Sequence, residues 1–312
     1  MANLPLQIIR TARPIHWIKN FALFGALLLT GTLFEKGLFN DVLLAFVAFS
    51  FATSATYIFN DIMDLKSDRL HPVKKDRPIA SGKLPLFLAI LELLIFVFLA
   101  LIVSLSLSDL LFTLILFYLC LQMFYSLGLK NIHVVDILII ATGFIIRVYA
   151  GAFVINAHLS VWFLLCVVSA SLFLAAGKRR AEINLLEAVD GGTRKSLSKY
   201  SKELLNSYVT MFGNATWMSW SLYTFFESPK AALPFWLALA ELSRATTIDK
   251  LMMLTIPVVI FGIMRYEALI FEGKSEAPEK LLLTDRALLI AVGLWIILVY
   301  WILYSGVSVT GI

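Results

Sequence analysis

Apolar runs of about 20 residues recur along the whole chain, broken by short polar segments. At 1.5 Å per residue, each run is long enough as a helix to cross a hydrocarbon core of about 30 Å. The pattern predicts nine spans, near 21–39, 41–60, 86–105, 109–128, 134–156, 160–177, 207–227, 246–266 and 286–304. Alternation at period 2 is absent, which disfavours a β-barrel. The loops are too short for a soluble domain, so residues 1–312 read as one polytopic, all-α integral membrane domain. Residues 4–19 read as an amphipathic helix lying on the membrane surface, within an interfacial segment 1–20. Arg10, Arg13 and Lys19 are not followed by a short apolar stretch and a small-residue cleavage site, so no cleavable signal is expected.

Composition strengthens this reading: 60% of residues are hydrophobic, only 15% are charged, and mean hydropathy is +0.87. Soluble domains carry about 25% charged residues. Lys and Arg placement then sets the orientation. With the N-terminus cytoplasmic, only Lys36, Lys230, Arg244 and Lys250 fall outside and Arg147 falls within a span; the remaining Lys and Arg lie on the inner side. Basic loops beside an anionic inner leaflet account for the net charge of +5 without nucleic acid. Cys120 and Cys166 both fall in spans, as packing residues rather than a disulfide.

Two inner loops, 61–85 and 178–206, hold most of the chemistry. The first lies in "YIFNDIMDLKSDRLHPVKKDRPIASG", Tyr57 to Gly82. Asp61, Asp64 and Asp68 are spaced three and four apart, which brings them to one face of an α-helix. Asn60 adds an oxygen donor. Like charges clustered at the mouth of an apolar bundle call for a cation. Mg²⁺ takes one or two carboxylates and completes its shell with water and phosphate oxygens. The cluster therefore points to Mg²⁺ bridging to a diphosphate. Arg69, His71, Lys74, Lys75, Arg77 and Lys83 follow, with Pro72 and Pro78 ending the helix, and can neutralise the same diphosphate. The competing reading is a solvated loop of local ion pairs.

The second loop contains "GKRRAE", in which Lys178, Arg179 and Glu182 are spaced either for intrahelical pairs or for closing a cavity opposite the Asp cluster. Arg180 fits lipid headgroups as well as substrate. Asp136 and Arg147 share a face of the fifth span, with Gly143 between them and Gly151 beyond; charged residues in a span face the bundle interior or a wet cavity. Arg147 is a candidate for substrate contact or for a structural ion pair. Tyr125 and Lys130 complete a polar rim. Asn214, His133 and His158 read as ordinary packing or loop residues.

"NDIMDLKSD" resembles the NDxxDxxxD motif of the UbiA-type intramembrane prenyltransferase superfamily. A closer resemblance, over nearly the whole chain, is to its decaprenyl-phosphate phosphoribosyltransferase branch. "RPIHWIKN" at 13–20, "HPVKKDRPIASG" at 71–82, "YSLGLK" at 125–130, "VDILIIATGFIIRVYAGA" at 135–152 and "GKRRAE" at 177–182 carry it. The resemblance implies a nine-transmembrane-helix bundle with a cytoplasm-facing polar cavity. It implies Mg²⁺ on Asn60, Asp61, Asp64 and Asp68, and transfer of 5-phosphoribose from phosphoribosyl diphosphate (PRPP) to a polyprenyl phosphate. The product in that branch is a cell-wall arabinan precursor. Substrate contacts would come from Lys19, His71, Lys74, Arg77, Tyr125, Lys130, Arg147, Lys178, Arg179 and Glu182, with Lys19 near the lipid phosphate. Prenyltransferases usually carry a second Asp-rich motif where this chain has Lys178, Arg179 and Glu182. Cations there suit the extra phosphate of PRPP. An aromatic prenyltransferase and a lipid-binding or transport protein remain alternatives, and a homo-oligomer in the plasma membrane is compatible with the sequence.

Overall fold

The computed structural model describes residues 4–71, 74–188, 200–227, 248–272, 281 and 283–304; the segment 189–199 and the outer-loop cations Lys230 and Arg244 lie outside them. Among the described residues there is no strand. A helix α1 (Leu4–Ala12) leads into a 3-10 segment (Pro14–Leu23) and a short α2 (Phe24–Leu29). Then come α3 (Lys36–Met63), α4 (Leu65–Leu70), α5 (Leu86–Leu107), α6 (Asp109–Leu127) and α7 (Val135–Val154). The order continues with α8 (Val161–Ala188), α9 (Lys202–Phe226), α10 (Ile256–Phe271) and α11 (Arg286–Tyr304).

Among the described residues, seven helical stretches are long and apolar enough to cross a membrane: α3, α5, α6, α7, Val161–Ile183 of α8, Lys250–Phe271 ending in α10, and α11. The expected first span, 21–39, is not one helix: α2 ends at Leu29, Gly31 turns with φ +79°, and α3 starts at Lys36. The expected seventh span is present as α9, but Thr210, Asn214, Thr216, Ser219, Ser221 and Thr224 make it more polar than the seven. The expected eighth span is shifted toward the C-terminus. A 3-10 stretch (Ile248–Thr255) with a non-helical Lys250 precedes α10, and Pro257 sits at the start of that helix, where a missing N–H costs nothing.

The chain divides into two compact units. The first comprises Met1–Gly25, Glu35–Ala157 and Leu186–Ser201. Its centre is α3, which packs on α5, α6, α7 and the 3-10 segment. The buried positions of α3 are mostly small — Ala45, Ala48, Ser50, Ala52, Thr53, Ser54 and Ala55 — so neighbouring backbones approach closely. Gly151 on α7 does the same: a Cβ there would stand 1.9 Å from the Leu23 carbonyl oxygen. Near the functional end, Ile58, Ile79, Leu84 and Ala89 form an apolar cluster that fixes the loop after α4 against α3 and α5.

The second unit comprises Ala26–Phe34, His158–Leu185 and Lys202–Ile312. Phe173, Ala176, Val209, Tyr266, Ile270 and Leu288 make its core. The Tyr304 hydroxyl donates to the Leu28 carbonyl at 2.7 Å, tying 26–34 to the last helix. Arg265 donates to Asp285 at 2.7 Å, linking α10 to the start of α11. That pair and the Leu288 N–H hold the Asp285 carboxyl down at about 2.

Candidate active site

The last turn of α3, the α4 loop, the 3-10 segment and the α6–α7 turn meet at one end of the first unit. Asp61 and Asp68 are both 3% exposed. The three carboxylates do not ride on one continuous helix. The helix breaks at Asp64 (φ −88°, ψ 4°), though the Asp64 and Asp68 N–H groups still reach the carbonyls four residues back. The break leaves Asp61 and Asp68 close enough to share one guanidinium: Arg77 Nη1 lies 2.9 Å from Asp61 Oδ1 and 2.6 Å from Asp68 Oδ2. Arg13 Nη2 lies 2.7 Å from both oxygens of Asp61. Lys130 Nζ lies 2.5 Å from Asp64 Oδ1, and both Lys130 and Ser126 reach Asn60 Oδ1, at 3.5 and 3.3 Å. Burial pushes the Asp68 carboxyl above its ordinary value, while the charge and hydrogen bond of Arg77 pull it down.

Arg13, Arg77 and Lys130 thus face Asp61, Asp64 and Asp68. Among the described residues no three acidic, His or Cys side chains converge as a metal cage. The donor chemistry nevertheless fits Mg²⁺: one amide and three carboxylates offer only hard oxygen donors, too few for a closed shell, leaving positions for phosphate oxygens.

The other expected residues fall around this centre to differing degrees. Lys19 Nζ is 3.3 Å from the Tyr57 hydroxyl, whose ring also stacks on His16 and lies under the Arg13 guanidinium. His71 Nδ1 accepts from the Lys74 N–H at 3.3 Å, bracing the turn that carries Arg77. Lys74 and Tyr125 are half-buried at the rim, whereas Arg69, Lys75 and Lys83 are exposed. Pro72 lies outside the described residues.

Arg147 is 4% exposed, and its partners are neutral. Its Nε donates to Asn20 Oδ1 at 2.7 Å, Nη1 to the Gly143 carbonyl at 2.5 Å, and Nη2 to the Tyr118 and Thr53 hydroxyls at 2.9 and 3.3 Å. The expected structural alternative, an ion pair, is replaced by this neutral cage. Asp136 is fully buried and accepts from the Tyr200 hydroxyl at 2.8 Å; that hydroxyl accepts from the Val134 N–H at 2.8 Å.

In the second unit, Arg179 is fully buried and pairs with Glu182 one turn on, the intrahelical arrangement that the spacing allowed. Lys178 is half-buried. Arg180 is buried rather than exposed, donating to Asn206 Oδ1 at 2.6 Å beside the Phe271 ring.

Sequence reasoning missed Arg13 as a member of the carboxylate centre. It counted only as a charge on an amphipathic segment, although its place before Pro14 marks a sharp turn. Ser126, Asn20, Tyr118 and Tyr200 were missed too, because single polar residues in apolar runs carry no spacing signal.

The model of the UbiA prenyltransferase family matches residues 21–247. The decaprenyl-phosphate phosphoribosyltransferase of Corynebacterium glutamicum is 35% identical over 97% of this chain and 88% of its own length. That of Mycobacterium tuberculosis is 33% identical, over 95% of this chain and 93% of its own length. A solved UbiA homologue from Archaeoglobus fulgidus bound to DMAPP and Mg²⁺ superposes with a TM-score of 0.68, covering 95% of this chain and 99% of that one at 16% identity. The fold likeness, the family match and the near-full-length relatives agree: this chain is a multi-pass membrane protein that belongs to the UbiA prenyltransferase family.

Proposed function

We propose that the protein transfers 5-phosphoribose from PRPP to a polyprenyl monophosphate of the decaprenyl type, releasing pyrophosphate. The observation that carries this reading is the near-full-length similarity to relatives named for that activity. The cation-rich carboxylate centre supports it, because the donor brings a diphosphate and a further phosphate. The orientation argued from Lys and Arg placement puts the site on the cytoplasmic side.

In the reaction, an oxygen of the lipid phosphate attacks the anomeric carbon of the donor. The bond from that carbon to the diphosphate breaks, and its electron pair leaves with pyrophosphate. The attacking phosphate is already anionic near neutral pH, so no general base is assigned. Asn60, Asp61, Asp64 and Asp68 would hold Mg²⁺, which when bound offsets the charge of the leaving group. Arg77 and Lys130 orient the diphosphate with charge-assisted hydrogen bonds. His71 and Lys74 shape the turn that presents Arg77, and Tyr125 borders the rim. Lys178 and Arg179 are assigned to phosphate recognition, with Glu182 fixing the Arg179 guanidinium. Lys19 is assigned to the lipid phosphate, and the polyprenyl tail stays in the bilayer. Arg147, held by Asn20, Gly143, Thr53 and Tyr118, is assigned to the frame of the first unit rather than to a phosphate.

The test is Asp64→Asn in folded, purified protein. Phosphoribosyl transfer and its Mg²⁺ requirement should both collapse; survival of both unchanged would remove Asp64 from the metal site. Supplying PRPP and prenyl diphosphates separately decides the donor. Pyrophosphate release only with a prenyl diphosphate and an aromatic acceptor would replace the proposal with aromatic prenylation.

A further inference from the structure

Arg13 holds a backbone conformation that side chains rarely adopt, φ 51° and ψ 60°, immediately before Pro14. Such a conformation persists only where the surroundings enforce it. Here the enforcement is visible on both sides. The Ser54 hydroxyl donates to the Ala12 carbonyl at 2.8 Å, and the Trp17 indole N–H donates to the Ser54 oxygen at 3.0 Å. Asn20, three residues further on, donates to Ser50 at 3.1 Å. One side chain of α3 thus clamps the chain before and after the strained residue, and the turn aims the guanidinium at Asp61.

The pairing uses one edge of that guanidinium. Nη2 alone serves the two Asp61 oxygens, and among the described residues no hydrogen bond engages Nε or Nη1. Arg13 is 19% exposed, so its remaining N–H groups are open to a ligand. Asp61 meanwhile has a second cation, Arg77, and does not depend on Arg13 for neutralisation. Yet with Nη2 across both its oxygens and Arg77 on Oδ1, Asp61 offers a metal ion at most one lone pair, on Oδ2.

We infer that Arg13 is a phosphate-positioning residue that exchanges Asp61 for the diphosphate of the donor. A guanidinium binds a phosphate oxygen and a carboxylate by the same charge-assisted geometry. When diphosphate takes Arg13, Asp61 becomes available as a metal ligand. When Arg13 sits on Asp61, a divalent cation competes with it. Cation and diphosphate therefore promote each other's binding, and by linkage the promotion is reciprocal. The inference rests on the metal and diphosphate roles proposed above and adds the element that couples them.

Binding of Mn²⁺, used as a spectroscopic probe for Mg²⁺, tests this without turnover. Protein-bound Mn²⁺ is measured by electron paramagnetic resonance on purified wild type, Arg13→Gln, Arg13→Lys and Asp64→Asn, with and without inorganic pyrophosphate, each titration corrected by a protein-free control for the Mn²⁺–pyrophosphate complex. Wild type should bind Mn²⁺ about tenfold more tightly when pyrophosphate is present, a coupling of ordinary size. Arg13→Gln should bind Mn²⁺ about tenfold more tightly than wild type without pyrophosphate, and pyrophosphate should then add little. Arg13→Lys, which keeps the charge but not the fork, should show reduced coupling and carries the test should Arg13→Gln not fold. Folded Arg13 variants with wild-type coupling would overturn the inference, while loss of Mn²⁺ binding in Asp64→Asn kept the metal site itself. No Mn²⁺ binding by wild type, with or without pyrophosphate, would overturn both the inference and the metal assignment.

Discussion

Replacing Arg147 with Lys separates a structural cation from a substrate-binding one. The Arg147 guanidinium makes four hydrogen bonds to Asn20, Gly143, Thr53 and Tyr118, and it lies 4.9 Å from the Tyr118 ring centroid. A lysine ammonium carries three donors on a flexible stem and does not reproduce that planar fork. Keeping two of the bonds and losing two is the favourable case. Each bond involving a charged partner contributes about 1.5–3 kcal/mol net, and the new ammonium relaxes to recover part of the loss, so the change costs about 2–4 kcal/mol. The Asn20 carbonyl and Tyr118 hydroxyl lose a fixed partner at the centre of the first unit. The assay is thermal unfolding of the purified variant beside its kinetics at a temperature where it is folded. The account expects a clearly lowered midpoint, with KM for PRPP within about twofold of wild type. An unchanged midpoint with a KM raised tenfold would refute the reasoning and place Arg147 on the substrate.

Asp68→Asn tests the electrostatics of the centre. Burial raises the folded-state pKa of Asp68, so the folded chain holds that proton more tightly than the unfolded one. Its contribution favours the fold at low pH and is lost as pH rises through the folded value. At neutral pH the Asn variant should therefore be at least as stable as wild type, with a flatter acid limb and lower transfer activity; clear destabilisation at neutral pH would contradict this. Lys178→Ala should raise KM for PRPP about tenfold, the loss expected for one charged phosphate contact, and undiminished donor affinity would reject that role. Arg179 is the poorer first choice, since its removal leaves the Glu182 carboxylate without its ion-pair partner.

The fold was largely legible because spans are long, apolar and separated by charge. Legibility failed where the helix signal was local. Gly31 interrupts the first apolar run, and the hydroxyls of α9 dilute its hydropathy without preventing a helix. At the candidate site, the three and four spacing of Asp61, Asp64 and Asp68 pointed to a carboxylate cluster at the end of α3, and the structure brings Asp61 and Asp68 onto one guanidinium. The spacing missed the break at Asp64, because a single non-helical residue leaves no trace in it. It also gave no sign that Arg77 would join two of the acids while Arg69, Lys75 and Lys83 stay exposed; all four look alike in a basic run. Arg13 stands 48 residues from Asp61, and such a pairing is a property of packing rather than of sequence. Arg180 illustrates the converse: a cation that reads equally as a headgroup or a substrate contact is buried, received by Asn206 and the Phe271 ring.

The central claim is the chemistry of the transfer, and the product tests it most directly. Purified protein in lipid, given PRPP, a polyprenyl phosphate and Mg²⁺, should form one new lipid species identified by mass spectrometry as the polyprenyl phosphate carrying a single phosphoribosyl group, with pyrophosphate released in equal amount. Absence of that species, together with a prenylated aromatic product when prenyl diphosphate and an aromatic acceptor are supplied instead, would contradict the account.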